Sequence, residues 1–226
     1  MRTESLALTP ISPGTSRSLT RHQWGGQAGT KVYLQASLHA DEMPGAIVLW
    51  HLMDLLDRAE AEGRIAGQVC MVPFANPIGL PQWLHGKPQG RQDLETMRNF
   101  NRGYAELAVL AGDALEGRLT GDKAENTRII RAAFAAALAE QQPLTEGDEL
   151  RIRLLQWSHD ADIVLDLHCD HVALLHFYAS TARPEIADLL GRATGAALAL
   201  IEDLSGGNAF DEAHTVPWRA LQARFP

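Results

Sequence analysis

The sequence contains little cysteine. Only Cys70 and Cys169 occur among its 226 residues. One pair cannot build the disulfide framework on which small secreted domains depend, so we predict a cytoplasmic protein. The N-terminus favours the same interpretation, because Pro10 and Pro13 follow the first residues without the apolar segment that marks a signal peptide.

Long apolar runs and an excess of basic residues are also lacking. No run is long enough to span a bilayer, so no membrane partner is expected. The chain has 20 Lys and Arg residues against 28 Asp and Glu residues, which gives a net charge of -8. Without a basic stripe to neutralise phosphates, we expect no nucleic-acid partner either. The charge is compatible with a cytoplasmic enzyme that acts on a small-molecule substrate, and assembly into a homo-oligomer stays open.

The overall composition is typical of a globular domain. Hydrophobic residues make up 46% and charged residues 21% of the chain, which are proportions of folded proteins and not of disordered ones. A length of 226 residues is enough for one sizeable core. We therefore expect residues 1–226 to form a single domain.

Segments with strand and helix periodicity alternate along the chain. Residues 31–38 are apolar at every second position, which predicts a strand, and Pro44 opens an amphipathic helix that reaches Gly63. Because of Pro73, we expect the next strand to end irregularly or to lie near a sheet edge. This alternation predicts a mixed, largely parallel α/β sheet with helices on both faces. The other predicted elements are strands within 1–30 and at 69–75, 162–167, 173–178 and 197–201, and helices at 126–138, 145–159 and 184–195.

Two of the predicted strands are followed by histidines. His39 comes after the strand at 31–38 and three positions before Glu42, and His168 ends the run Asp166-Leu167-His168. The carboxyl ends of parallel strands share one edge of a sheet, where ligands gather. Two imidazole nitrogens and one carboxylate, with a fourth position left to water, form the ligand set of a hydrolytic zinc centre. His39, Glu42 and His168 are therefore candidate ligands of one zinc ion.

Each of these residues also has a purely structural explanation. A histidine and a glutamate occur at this spacing by chance in many proteins. The structural explanation of His168 is a histidine packed at the end of the sheet. For Glu42 it is a carboxylate that the dipole at a helix N-terminus favours. Asp166 either fixes the tautomer of His168 or is a polar strand end. Cys169 is expected to be a buried thiol and not a nucleophile, because adjacent residues of an extended segment point to opposite faces.

The segment 80–102 is long and polar, with little periodicity. Loops of this length within a compact domain are usually functional or disordered. The segment is rich in arginines and side-chain amides, which bind carboxylates, and this favours a functional loop. The alternative is a solvated loop whose surface ion pairs stabilise the protein little.

In combination, these motifs resemble those of one family. The order HxxE, NP, an arginine, NxNR and DLH resembles the succinylglutamate desuccinylase/aspartoacylase family, whose members are relatives of the zinc carboxypeptidases. The resemblance extends from Leu38 to Tyr178. It implies a zinc carboxypeptidase-like fold, with His39, Glu42 and His168 as zinc ligands.

The resemblance also implies roles for residues of the polar segment. Asn101 and Arg102 match an asparagine-arginine pair that binds the substrate carboxylate. Arg91 matches an arginine that polarises the scissile carbonyl, with Arg98 as a rival. The implied activity is zinc-dependent hydrolysis of the amide bond of an N-acyl amino acid or a similar small carboxylated amide. Such an enzyme is a deacylase that acts on carbon-nitrogen bonds other than peptide bonds.

The chain departs from the family pattern in two places. Asn99 stands where the family often has aspartate, and Ala40-Asp41 stands where it often has glycine-asparagine. Both departures leave the ligands intact, and we expect them to bear on substrate identity.

The general base of the family is a further departure. A glutamate is expected on a strand well after the third ligand, and no such segment is found. Residues 206–213 are assigned to a loop, and 216–225 is too short to complete a domain. Because the sequence stops at Pro226, before the strand that the resemblance implies, we expect a chain truncated at its C-terminus. An inactive module that binds metal and a carboxylate is the alternative function, and core histidines without metal are a third interpretation.

The glutamates after His168 are Glu185, Glu202 and Glu212. Glu185 is expected on the surface of a helix. Glu202 and Glu212 lie in or beside the Gly-rich loop, and either is an alternative general base, although loop geometry alone rarely places one correctly.

Overall fold

The computed structural model describes residues 1–170, 172–204 and 206–225. In that part of the chain, no helix is both long enough and apolar enough to cross a membrane. The strands are β1 (Arg2–Ala7), β2 (Ser18–Gly25), β3 (Lys31–Ala36), β4 (Gln68–Val72), β5 (Trp83–Leu84), β6 (Lys87–Pro88), β7 (Ile163–Leu167), β8 (His176–Ala179) and β9 (Leu198–Ile201). The α-helices are α1 (Pro44–Ala61), α2 (Leu107–Ala111), α3 (Lys123–Ala139), α4 (Glu146–Ser158), α5 (Pro184–Thr194) and α6 (Glu212–Arg224).

Five strands form a central sheet in the order β1-β2-β4-β3-β7. β2 is antiparallel to β1 and to β4, whereas β3 is parallel to both β4 and β7. The parallel pairs are joined by long connections that contain helices, as parallel strands require. β8 and β9 form a separate parallel pair. The predicted mixed α/β fold is confirmed.

Helices cover both faces of the central sheet. In β3, Tyr33 packs into the core on one face and Leu34 into the core on the other, as the period of two requires. The first core is built with helices α2, α3, α4 and α6 and includes Phe134 and Leu154. On the second face, α1 packs through Leu49, which is fully buried. The helices packed on the two faces of the sheet fix the ends of β3 and β7.

Helix α1 begins at Pro44, as predicted, and ends close to the predicted Gly63. Gly63 has a φ of 65°, the left-handed conformation that commonly ends helices. At the other end, Gly45 lies against the ends of β3 and β7. A Cβ at this glycine would be 2.8 Å from Leu167 Cβ and 3.1 Å from Ala36 Cβ. The missing side chain lets the helix approach the sheet edge from which the candidate ligands emerge.

Other predicted elements differ in their ends or positions. The strand predicted at 69–75 is β4, which stops at Val72, before Pro73. It therefore ends irregularly, as one alternative predicted, and it lies inside the sheet and not at its edge. The strand predicted at 162–167 as buried is β7, a half-buried edge strand. β8 begins at His176, three residues later than predicted.

The loop predicted at residues 206–213 ends at Asp211, and helix α6 then occupies Glu212–Arg224, where no helix was predicted. Pro217 lies inside this helix, and proline lowers helix propensity strongly, so the local pattern does not reveal it. The helix is held by packing and by His214, whose Nδ1 lies 2.7 Å from the carbonyl oxygen of Phe210 and whose Nε2 lies 2.8 Å from the hydroxyl of Ser158. Tertiary contacts therefore outweigh the local penalty.

The burial of His214 should make the protein less stable as the pH falls. Burial lowers the pKa of His214 from 6.5 to about 4, and the hydrogen bond to Phe210 opposes this only in part. Below about pH 6.5 the unfolded chain binds a proton that the folded protein does not bind until about pH 4. The resulting loss of unfolding free energy over this window is at most about 3 kcal/mol.

Urea denaturation between pH 7 and pH 4 measures this loss. We expect a shallower fall in the free energy of unfolding for His214→Gln than for the wild type. The exposed His51 gives a matched control, His51→Gln, which should keep the wild-type slope. A constant difference between wild type and His214→Gln across the window would contradict the prediction.

Candidate metal centre

The three candidate ligands come from the ends of neighbouring strands. β3 and β7 are parallel, and Ala36 is paired with Leu167, so the residues after both strands emerge at the same edge. His39 and Glu42 lie in the turn between β3 and α1, and His168 directly follows β7. Their candidate ligand atoms all lie within 4.8 Å of one another. The fold thus brings together side chains from two distant parts of the sequence.

The carboxylate of Glu42 is the centre of this group. Its Oε1 lies 3.0 Å from His39 Nδ1, and its Oε2 lies 2.8 Å from His168 Nδ1. The backbone N–H of Cys169 donates to Oε2 at 2.9 Å, and Arg91 Nη1 donates to Oε1 at 3.0 Å. Burial alone would raise the pKa of Glu42, but the hydrogen bonds from His168, His39 and Cys169 hold this pKa well below its ordinary value. Glu42 is therefore ionised, which is the form that binds a metal.

The outer nitrogens of the two histidines are held by acceptors. His39 Nε2 lies 2.9 Å from Asn99 Oδ1, and His168 Nε2 lies 3.0 Å from Asp166 Oδ2. The backbone N–H of Asn101 donates to the same Oδ1 of Asn99 at 2.8 Å, which identifies that atom as an acceptor. Both Nε2 atoms therefore carry a hydrogen. In a protonated ring Nδ1 donates a hydrogen bond to the shared carboxylate, whereas in a neutral ring the Nδ1 lone pair points at it.

Two imidazole lone pairs facing one carboxylate repel it unless a cation lies between them. A proton on the ring of His168 removes this repulsion for one of the two rings. Burial would lower the pKa of His168, but the carboxylates of Asp166 and Glu42 raise it to about 10. A metal ion removes the repulsion for both rings, because imidazole nitrogens and carboxylate oxygens are ordinary zinc ligands. Acceptors at the outer nitrogens are the partners that orient metal-binding histidines. The donor set therefore fits a metal ion.

Of the two candidate arginines, Arg91 lies at the ligands. Its guanidinium contacts Glu42, and its carbonyl oxygen accepts from the N–H of Phe100 at 3.1 Å. Arg98 instead donates to Asp148 Oδ1 on α4 at 2.9 Å. In the described part of the chain, no hydrogen bond or ion pair links Arg98 to the candidate ligands.

Asn101 and Arg102 lie at the rim of the group. Asn101 Nδ2 is 3.5 Å from His168 Nε2, and Asn101 Oδ1 accepts from the N–H of Phe210 at 2.8 Å. Arg102 Nη1 donates to the carbonyl of Asn101 at 2.6 Å. The stem of Arg102 fills the space beside Gly207, where a Cβ would be 2.7 Å from Arg102 Cδ. Asn101 thus touches a candidate ligand, whereas the hydrogen bonds of Arg102 within the described ranges do not reach one.

Sequence reasoning missed two residues of the site and misjudged a third. Asn99 orients His39, and its only signal was its place in the family pattern. Gly90 lets the polar segment 80–102 approach the turn that carries His39 and Glu42. Its carbonyl accepts from the Ala40 N–H at 2.9 Å, and a Cβ at this glycine would be 2.1 Å from Asp41 N. Cys169 is half-buried and not buried as expected. Its backbone N–H, and not its thiol, contacts Glu42.

The later glutamates have contacts of their own. Glu185 forms an exposed ion pair, and Glu202 is exposed. Neither has a hydrogen bond or ion pair to the candidate ligands among the residues that the structure describes. The carboxylate of Glu212 accepts from the N–H groups of Gly206 and Ala209, so it supports the loop before α6.

The sequence matches a family model over most of its length. Residues 28–205 match the succinylglutamate desuccinylase/aspartoacylase catalytic domain. The chain belongs to the succinylglutamate desuccinylase/aspartoacylase family. The family that the sequence motifs predicted is therefore confirmed. No curated protein matches the sequence.

Solved structures agree with this assignment to the succinylglutamate desuccinylase/aspartoacylase family. A protein of this family from Shewanella amazonensis is 30% identical, with a TM-score of 0.82 over 98% of this chain and 60% of its own. One from Shewanella frigidimarina is 28% identical, with a TM-score of 0.82 over 99% of this chain and 59% of its own. A protein of Shewanella denitrificans described as a metallopeptidase shares the fold, at 14% identity and a TM-score of 0.50 over 98% of this chain and 79% of its own.

The present chain spans only part of these family relatives. It covers 60% and 59% of the lengths of the two Shewanella family proteins. The single domain over residues 1–226, the cytoplasmic location, the small-molecule partner and the oligomeric state stay predictions.

We predict that zinc stabilises the folded protein through the three ligands. At a free zinc concentration about 100 times the Kd, binding adds about 2.7 kcal/mol to the free energy of unfolding. His39→Ala removes a ligand and should abolish both zinc binding and this stabilisation. Denaturation with and without zinc, combined with metal analysis, measures both effects. The exposed His51 provides the control His51→Ala, and full zinc occupancy in His39→Ala would contradict the ligand assignment.

Proposed function

We propose that this protein is a zinc-dependent hydrolase that cleaves the amide bond of an N-acyl amino acid or a similar small carboxylated amide. One observation carries the proposal: two Nδ1 atoms and one carboxylate converge, while acceptors at both Nε2 atoms hold the rings in that orientation. Membership of a family named after a desuccinylase and an acylase supports deacylation as the reaction class.

His39, Glu42 and His168 would hold one zinc ion, which supplies the Lewis acid for amide hydrolysis when it is bound. Asn99 and Asp166 keep both rings in the tautomer that leaves Nδ1 free to donate its lone pair. His39 and Glu42 are 3% and 8% exposed, so the protein excludes most water from this side of the site. Burial strengthens the electrostatic interactions made there.

Arg91 is the candidate for stabilising negative charge on the substrate carbonyl oxygen. It donates to Glu42 Oε1 at 3.0 Å while 59% of its side chain is exposed. Its guanidinium therefore lies beside a candidate ligand and remains accessible to substrate. A donor held in place before the reaction is the arrangement that stabilises a developing oxyanion. Arg98 is paired with Asp148, and we assign the catalytic role to Arg91.

Asn101 and Arg102 are proposed to bind the substrate carboxylate. A guanidinium forms strong charge-assisted hydrogen bonds with a carboxylate, whereas Arg102 Nη1 is bonded here to the neutral carbonyl of Asn101. Exchange of this carbonyl for a carboxylate is therefore favourable. Asn101 also touches His168, which places the carboxylate site next to the ligand group. A substrate held at both points has its amide bond in a defined position.

A second function, an inactive module that binds metal and a carboxylate, is favoured by the positions of the glutamates. Amide hydrolysis requires a group that accepts a proton from the attacking water. Glu185 and Glu202 make no hydrogen bond or ion pair to the ligands within the described ranges, and Glu42 is itself a candidate ligand. The general base is therefore not assigned, and the chain covers 60% of its Shewanella amazonensis relative.

We expect the zinc-loaded protein to release the free amino acid from a member of a panel of N-acetyl and N-succinyl amino acids. Arg91→Ala should lower kcat by about 10²- to 10³-fold, the usual effect of losing an oxyanion donor. Arg98→Ala is the matched control and should keep most of the activity. Assay of the released primary amine, with a chelator as the negative control, measures turnover. Zinc bound at one ion per chain without turnover of any member would favour the binding module.

Arg102→Ala should weaken the binding of carboxylated ligands without releasing zinc. Loss of a charge-assisted hydrogen bond is worth about 1.5–3 kcal/mol, which raises the Kd about tenfold to hundredfold. Isothermal titration of the zinc-loaded protein with N-acetylaspartate measures this change. Arg98→Ala again serves as the control, and an unchanged Kd in Arg102→Ala would remove the carboxylate site from the proposal.

A further inference from the structure

The segment 99–102 carries three side chains of the candidate site and lies outside every helix and strand of the described chain. Asn99 orients His39, and Asn101 and Arg102 form the proposed carboxylate site. Within the segment, the Asn101 N–H donates to Asn99 Oδ1 at 2.8 Å. This bond fixes the Asn99 amide only if the backbone around it is fixed. The orientation of His39 thus depends on what holds the backbone of the segment.

The guanidinium of Arg151 holds both ends of this segment. Its Nε donates to the carbonyl oxygen of Arg102 at 2.8 Å, and its Nη2 donates to the carbonyl oxygen of Asn99 at 3.1 Å. Arg151 is 5% exposed, and its nearest carboxylate oxygen, on Asp148, is 3.5 Å away. Burial of a cation costs free energy, and the carboxylate of Asp148, which lies closer to Arg98 and is shared with it, offsets this cost only in part. The contacts of Arg151 thus serve to fix the spacing of two backbone carbonyls.

Helix α4 provides a rigid base for this contact. Its N-terminus is capped by Thr145, whose hydroxyl accepts from the N–H of Asp148 at 3.0 Å. Leu150 and Leu154, on either side of Arg151 along the chain, are buried in the main core. The position of the guanidinium is therefore set by the core and not by the segment that it holds.

We propose that Arg151 is a positioning residue of the metal centre, which orients His39 by holding the carbonyls of Asn99 and Arg102. The inference rests on the metal site of the proposed function and does not depend on catalytic turnover. An arginine suits this role because its planar fork presents several N–H donors at fixed angles. A lysine keeps the charge, but its ammonium cannot hold the two carbonyls at the same spacing.

A double-mutant cycle on zinc affinity tests this coupling. Arg151→Met should weaken zinc binding about tenfold, the lower end of the range for residues that orient metal ligands. Asn99→Ala should weaken zinc binding by a similar or larger factor. Because Arg151 acts through Asn99, Arg151→Met should cost less than about twofold when added to Asn99→Ala. Zinc alone is the probe, and competition with a chromophoric chelator gives the Kd.

Arg153→Met is the matched control. Arg153 lies on the same helix and pairs with Glu149 at 3.2 Å, so this variant also loses an ion pair of α4. It should leave the zinc affinity unchanged. Equal losses for Arg151→Met with and without Asn99→Ala would mean that Arg151 affects zinc binding independently of Asn99, and this would overturn the inference. An unchanged zinc affinity in Arg151→Met would overturn it too.

A second measurement separates this inference from the proposed function. Amide hydrogen exchange of Asn101 in the metal-free protein reports the bond to Asn99 Oδ1 directly. Arg151→Lys preserves the charge and can be used if Arg151→Met does not fold. It should speed the exchange of the Asn101 amide, while the exchange rates of the α4 amides stay unchanged. An unchanged hydrogen-exchange rate of the Asn101 amide would contradict the positioning role. If zinc binds without turnover, the proposed activity fails while the zinc cycle still decides the role of Arg151.

Discussion

The pairing of β3 with β7 is the constraint on which the site depends. Parallel register places Gln35 opposite Asp166 and Ala36 opposite Leu167. Because side chains alternate along a strand, a slip by one residue would turn Asp166 to the opposite face of the sheet. The register is itself fixed by packing of the apolar residues of β3 into two separate cores. The same burial that stabilises the sheet therefore brings two histidines to one carboxylate.

The two histidines at this edge are supported differently. Asp166 places a charged acceptor behind His168, whereas Asn99 places a neutral amide behind His39. A carboxylate raises the basicity of the ring that it contacts more than an amide does. His168 is therefore the stronger donor to a cation, and its raised pKa reflects the same interaction. The sequence predicted that Asn99 bears on substrate identity, and this stays a prediction. Its contact with His39 shows that Asn99 also bears on the electronics of a candidate ligand.

The candidate ligands could be identified from the sequence because their signals are local. The period of two in residues 31–38 locates a strand end, and the apolar run before His168 locates another. Arg151 gave no such signal, because its contacts join a helix to a loop 49 and 52 positions away. The choice between Arg91 and Arg98 likewise requires the fold, which pairs Arg98 with α4. Helix α6 was missed because its proline is a local penalty that only tertiary packing outweighs.

The proposed carboxylate site is also held from a second side, by the loop before α6. Gly103 N–H donates to the carbonyl of Gly207 at 2.9 Å, and the Phe210 N–H donates to Asn101 Oδ1. Gly207 has a φ of 87°, and the stem of Arg102 occupies the place of its missing side chain. Phe210 is fully buried, so the core anchors this loop as it anchors α4. With both sides fixed, the separation between Arg102 and the ligand group is set by the fold, and a fixed separation selects substrates by the distance between their carboxylate and their amide bond.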